Sequence, residues 1–151
     1  LHNASMLGDI TPMDRYGAGT WESVMQTNVN SAFYLTQAML PLLRASDDAR
    51  LLFTSSSVGR KGRAFWGAYA VSKAATENLA QVLAEELENT SNIRVNTLNP
   101  GGTRTDMRAL AYPGEDPQTL KTPADIMAPY LYLLGPASRE VNGESIDAQP
   151  K

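Results

Sequence analysis

The sequence predicts an α/β fold with a parallel sheet, and three observations predict it. Short apolar runs of strand length alternate with long stretches whose apolar residues recur at helical spacing. Each helical stretch is long enough to carry the chain back to a parallel neighbour. Polar residues gather directly after the strand-like runs, at the edge where open parallel sheets hold their ligands.

The elements follow in order. LHNAS, residues 1–5, has the pattern of a buried strand's end, and MLGDITPMDRYGAGT after it is rich in turn residues. Thr20 is the expected cap of a helix over 20–46, with Val24, Phe33, Met39 and Leu43 among its periodic apolar positions. Pro41 lies inside that pattern and is expected to kink or end it. The strand expected at 51–55, in LLFTSSSV, ends in three hydroxyls, and GRKGRAFWG after it is a loop. The pattern over 68–88 is helical, with Leu79, Val82, Leu83 and Leu87 on the core stripe and Glu85, Glu86 and Glu88 facing water. A second stripe, Ala70, Ala74 and Ala75, is small enough for another backbone to come close.

IRVNTLNP gives a strand at 93–98 that stops at Pro100. Residues 102–121 form a long polar stretch with weak periodicity, the kind of segment that serves as a substrate lid. TPADIMAPYLYLLG is a short helix with Thr122 as cap, Pro123 in the first turn and Gly135 at its end. A turn and a last strand at 144–148 follow, and residues 1–151 make a single domain.

Composition removes several function classes. A net charge of −3 without a Lys/Arg cluster argues against a nucleic-acid or anionic-membrane partner. The absence of cysteine excludes disulfides and thiol-bound metals, and a lone histidine leaves no metal site expected. No apolar run approaches the length of a membrane span, so a soluble, cytoplasmic protein is the expectation.

The chemistry concentrates in GAYAVSKAAT, where Tyr69 and Lys73 sit four residues apart on one helical face. A free phenol, with a pKa of about 10, is a poor proton donor near neutrality. A cation beside it favours the phenolate and brings its pKa toward the useful range. Ser56, on the preceding strand end, is placed to hold a carbonyl oxygen while Tyr69 donates to it. Taken alone, the Tyr/Lys pair reads more readily as an ordinary solvated contact. Its spacing from Ser56 decides for chemistry.

SSSVGRKGRAFWGAYAVSKAAT resembles the active-site segment of the short-chain dehydrogenases/reductases, whose serine precedes Tyr-x-x-x-Lys by a similar distance. NVN at 28–30, NPGGTRT after the second strand and LHNAS resemble further elements of that family. NPGGTRTDMRA, EDPQTLKTPADIM and DAQP are similar, more narrowly, to its bacterial YciK-type oxidoreductases. The resemblance implies a doubly wound, Rossmann-like parallel sheet and hydride transfer between NAD or NADP and a carbonyl or alcohol substrate. It implies Tyr69 as general acid/base and Lys73 as the residue that tunes it and holds the cofactor's ribose. Ser56 would orient the substrate, and Asn28 would complete a catalytic tetrad. Asn3 and Ala4 would lie near the cofactor's adenosine side, with Pro100, Gly101 and Thr103 beside the nicotinamide and Thr105 at the pyrophosphate. A homodimer or homotetramer, joined through the helices 20–46 and 68–88, is implied as well.

The chain departs from the family pattern in two ways. His2 and Ser5 stand where Asn and Gly are usual, with His2 expected as a strand-end contact. The Gly-rich turn that receives the pyrophosphate, together with the N-terminal strands around it, is absent from these residues. The chain is therefore expected to be the C-terminal portion of such a domain, with one sheet edge unpaired, and neither to fold cooperatively nor to bind dinucleotide by itself. Two other readings stay open: a catalytically silent binding or assembly module, and an epimerase or dehydratase using the same Tyr/Lys pair.

Overall fold

The computed structural model describes residues 1–150. Three parallel strands, β1 (Ala49–Thr54), β2 (Ile93–Asn99) and β3 (Ser145–Asp147), lie side by side in that order. The β1–β2 register runs from Ala49 opposite Ile93 to Thr54 opposite Leu98, and β2–β3 from Thr97 opposite Ser145 to Asn99 opposite Asp147. On its outer edge β1 takes one bridge: His2 N–H donates to Leu52 O at 2.8 Å and Thr54 N–H to His2 O at 2.9 Å.

The pleat sorts side chains onto two faces. Leu51, Phe53, Ile93 and Val95 point to one face, against α2 (Ser31–Arg44) and the long α4 (Gly67–Glu88). Leu52 and Leu98 point to the other, against Ile126 and Tyr130 and Leu133 of α6 (Met127–Leu134). Helices thus cover both faces, and the sheet is doubly wound.

The helical region between 18 and 44 differs from its expected form. The first helix, α1 (Ala18–Met25), opens two residues before Thr20: Gly17 is extended and its carbonyl accepts the Trp21 N–H at 2.9 Å. Pro41 neither ends nor breaks α2, because it sits in the final turns, where the lost bond falls on the solvent side and Leu40 and Leu43 still hold the helix to the core. The irregularity lies earlier, in a π turn over Gln26–Asn30 that joins α1 to α2 without a break. In α4, Val82 is exposed and leaves the expected core stripe, while Ala80 and Ala84 take its place.

Residues 102–121 are more regular than their sequence pattern. They contain α5 (Asp106–Ala111) and a 3-10 turn at Pro117–Thr119, and a Thr103–Lys121 bridge closes the segment at its base. Thr122 caps a 3-10 turn (Ala124–Ile126), exchanging hydrogen bonds with Asp125, and α6 starts only after that turn. No described helix is long and apolar enough to cross a membrane.

Candidate active site

The site is built where β1 ends. Ser56 has extended backbone and opens the one-turn helix α3 (Ser57–Arg60), which lies directly on α4. The close approach depends on Gly59: a Cβ there would fall 2.7 Å from the Lys73 carbonyl carbon. Small size at Gly59 lets the serine loop meet the helix that carries Tyr69 and Lys73, and Ala70 packs in the same cluster as Val58 of α3.

Tyr69 and Lys73 are both buried, at 8% and 3% exposure. The Lys73 Nζ lies 5.6 Å from the centre of the Tyr69 ring and donates to the Thr54 carbonyl at 2.8 Å. The ammonium therefore points inward along the strand end. Its electrostatic effect differs from the sequence expectation. Burial pushes the Tyr69 phenol above its ordinary value, and the Ser56 side chain beside it pulls it back down. Burial also lowers Lys73 to about 8. Taking the groups out of water is the leading cause of both shifts.

Asn28 lies in the π turn and is almost fully buried. Its side chain accepts from Met6 N at 2.8 Å and donates to Met6 O at 3.0 Å and Ser72 Oγ at 2.9 Å. It thereby ties the segment after LHNAS to α4, one residue before Lys73. Asn28, Lys73, Thr54, Asn3 and Ala4 face one cavity of about 300 Å³. Asn3 accepts from Thr54 Oγ1 at 2.8 Å. His2 stacks on Phe53 with ring centres 4.6 Å apart and shares a 2.9 Å hydrogen bond with Thr36, a strand-end contact.

Pro100, Gly101 and Thr103 form the turn after β2, with Gly101 at φ 73° and its N–H held by Asn99 Oδ1 at 3.1 Å. The Thr105 hydroxyl caps α5, accepting from Arg108 N at 3.2 Å. Met107 and Ala111 of α5 pack with Trp66 against the cluster containing Tyr69. Trp66 stands between the Tyr69 and Tyr112 rings, at 5.8 and 5.7 Å. Sequence reasoning missed Gly59, Ser72 and the Thr54 carbonyl, for which single residues give no signal. It also missed Glu77, which continues the Tyr69/Lys73 spacing by one further step of four.

The short chain dehydrogenase family profile matches residues 1–116. The chain belongs to the short-chain dehydrogenase/reductase family. It is 61% identical over 150 residues to the uncharacterized oxidoreductase YciK of Escherichia coli K12, covering 99% of this chain and 59% of that protein. A short chain dehydrogenase crystal structure from Salmonella enterica serovar Typhi superposes with a TM-score of 0.96 at 62% identity, over 99% of this chain and 61% of that one. Another from Shigella flexneri, complexed with NADP, gives 0.95 at 61% identity over 99% and 62%. The chain thus spans about three-fifths of the length of these relatives.

Proposed function

We propose that the full encoded protein is a cytoplasmic NAD(P)-dependent oxidoreductase that interconverts a small-molecule carbonyl compound and its alcohol. The observation that carries the reading is the convergence of Ser56, Tyr69 and Lys73 at one strand end, two of them buried. NADPH is the first cofactor to test, because the Shigella relative named above is complexed with NADP. When bound, the nicotinamide supplies or accepts the hydride.

The residues present fit such a group. Lys73 has three donors, and the Thr54 carbonyl is its hydrogen-bond partner among the described residues, leaving donors for ribose hydroxyls in the adjoining cavity. The Ser5 hydroxyl is buried without a partner among the described residues. Asn3 and Ala4 line the same cavity, and Pro100, Gly101, Thr103 and Thr105, in the turn after β2 and at the start of α5, would meet the nicotinamide and pyrophosphate outside that cavity.

The protein's own part is proton transfer and positioning. Ser56 holds the substrate oxygen, Tyr69 gives its phenolic proton to that oxygen during reduction and takes it back during oxidation, and Lys73 stabilises the phenolate that forms. Asn28 completes the tetrad by locking the Lys73 end of α4 to the Met6 backbone. Residues 102–121 act as the substrate lid, with Met107 and Ala111 closing over Tyr69. Exposed Val71 and Val82 on α4, and Phe33 and Leu35 on α2, support a homodimer or homotetramer joined through these helices, which the sedimentation mass tests.

Tyr69→Phe in the full encoded protein should lower turnover by about 10²–10⁴-fold with NADPH affinity nearly unchanged. Retained turnover would refute the proton-donor role. A silent assembly module, in contrast, would show no quenching or enhancement of NADPH fluorescence on mixing.

A further inference from the structure

Behind the Tyr69/Lys73 pair, on the same helix, lies a buried carboxylate that the reaction does not consume. Glu77 is eight residues after Tyr69 and four after Lys73, at 7% exposure. Spacing of four keeps the three side chains on one broad helical face. An isolated buried carboxylate is costly, so its partners decide what it does.

Those partners come from every strand. Ser55, at the end of β1, donates to Oε1 in a short hydrogen bond. Thr97 of β2 donates to Oε2 at 2.8 Å, and Ser145 of β3 reaches the two carboxylate oxygens at 2.9 and 2.7 Å. Each hydroxyl has one proton, so the three supply three hydrogen bonds, and Arg60 Nε adds a longer contact at 3.4 Å. Arg60 then continues outward, to Asp147 Oδ1 at 2.7 Å and Ile146 O at 3.1 Å. Asp147 accepts from Asn99 at 2.7 Å, and the other atom of the Asn99 amide holds Gly101 N.

We infer that Glu77 is a positioning residue that sets the Ser56–Tyr69 geometry and holds the Pro100–Gly101 turn in place. Two paths lead from its carboxylate. One runs through Ser55 to the neighbouring Ser56, while α4 itself carries Tyr69. The other runs through Arg60, Asp147 and Asn99 to the backbone of Gly101. A group that fastens three strands and the catalytic helix at one point fixes separations that proton transfer needs to within a fraction of an ångström. A hydrophobic residue of similar size would fill the same space but would leave Ser55, Thr97, Ser145 and Arg60 to find other partners.

The inference rests on the reading of Tyr69 as the proton donor, and the experiment separates the two. In the full encoded protein, Glu77→Gln keeps the side chain's size but turns one acceptor into a donor. It should lower kcat roughly ten- to a hundredfold, with KM for NADPH moved by less than about threefold. In a Ser56→Ala background the same change should cost at least about threefold less than in the parent, because one of its two paths runs through that serine. A kcat within about twofold of the parent, or an undiminished loss without Ser56, would overturn the proposal. Should Glu77→Gln fail to fold, Ser55→Ala removes a single donor and carries the test: reduced kcat at constant NADPH KM supports the proposal, and an unchanged kcat ends it. Tyr69→Phe is measured alongside. If it is silent while Glu77→Gln runs at the parent rate, only the positioning role is lost; if it turns over, the underlying reading falls and this role with it.

Discussion

Two neighbouring stretches of one face of α4 are built on opposite terms. Around Glu77, all three strands are fastened by hydroxyls and an ion pair, and Arg60 reaches 2.7 Å to Asp147. Around Lys73, the same helix faces a cavity of about 300 Å³ and the outer edge of β1, which carries only the His2 bridge among the described residues. Buried polar groups with every partner supplied resist movement, whereas a cavity lined by donors with spare capacity invites a ligand. The difference teaches where the site is rigid and where it is receptive. Tyr69 sits on the boundary.

Three measurements break or sharpen that contrast. The largest effect is expected at Gly59→Val, where the new side chain meets the Lys73 backbone and either α3 or α4 must shift. Loss of about 1–3 kcal/mol of stability, read from the urea midpoint, should accompany a fall in turnover. A smaller loss is expected for Asn28→Ala on the receptive side. It removes the hydrogen bonds to Met6 and Ser72 and leaves buried groups unpaired, at about 1 kcal/mol or somewhat more. Should Asn28→Ala cost more than Gly59→Val, the ranking of rigid over receptive would reverse.

The subtlest effect is the titration of Lys73. With its pKa lowered from 10.5 to about 8, the cofactor-free folded protein binds fewer protons than the unfolded chain between those values. Stability should therefore rise with pH across that window, and the site should lose the ammonium charge as pH passes 8. A ¹³Cε NMR titration of Lys73 should show a midpoint near 8, and one near 10.5 would place the ammonium in water.

Much of this arrangement was legible in the sequence, for identifiable reasons. Hydrophobic period placed β1, β2 and α4 to within two residues, since each buries an apolar face of ordinary spacing. Ser56, Tyr69 and Lys73 came together because a strand end and a following helix leave few other places for them. The direction of the Tyr69 shift was not legible, because sequence spacing reports a neighbouring charge and says nothing of burial. Glu77 read as one more glutamate on a helix rich in them, although Glu85, Glu86 and Glu88 face water and it does not. The helix at 106–111 stayed hidden because its periodicity is short and its anchors, the Thr105 cap and the Arg108–Glu115 pair at 2.6 Å, are polar.

The π turn has a consequence for how this chain tolerates change in length. Val24, Asn28, Ala32 and Thr36 are all buried at intervals of four residues. In an uninterrupted α-helix each such interval drifts by about 40°, so the fourth member would have rotated about 120° from the first. The wide turn at 26–30 takes back part of that drift, acting as a phase correction that keeps one inward-facing column. Deleting one residue there would let the turn close to an ordinary α-helix: Val24 and Ala32 would then stand seven residues apart, within about 20° of one line, so Val24 should keep its place in the core and only the wide turn around Asn28 would be lost.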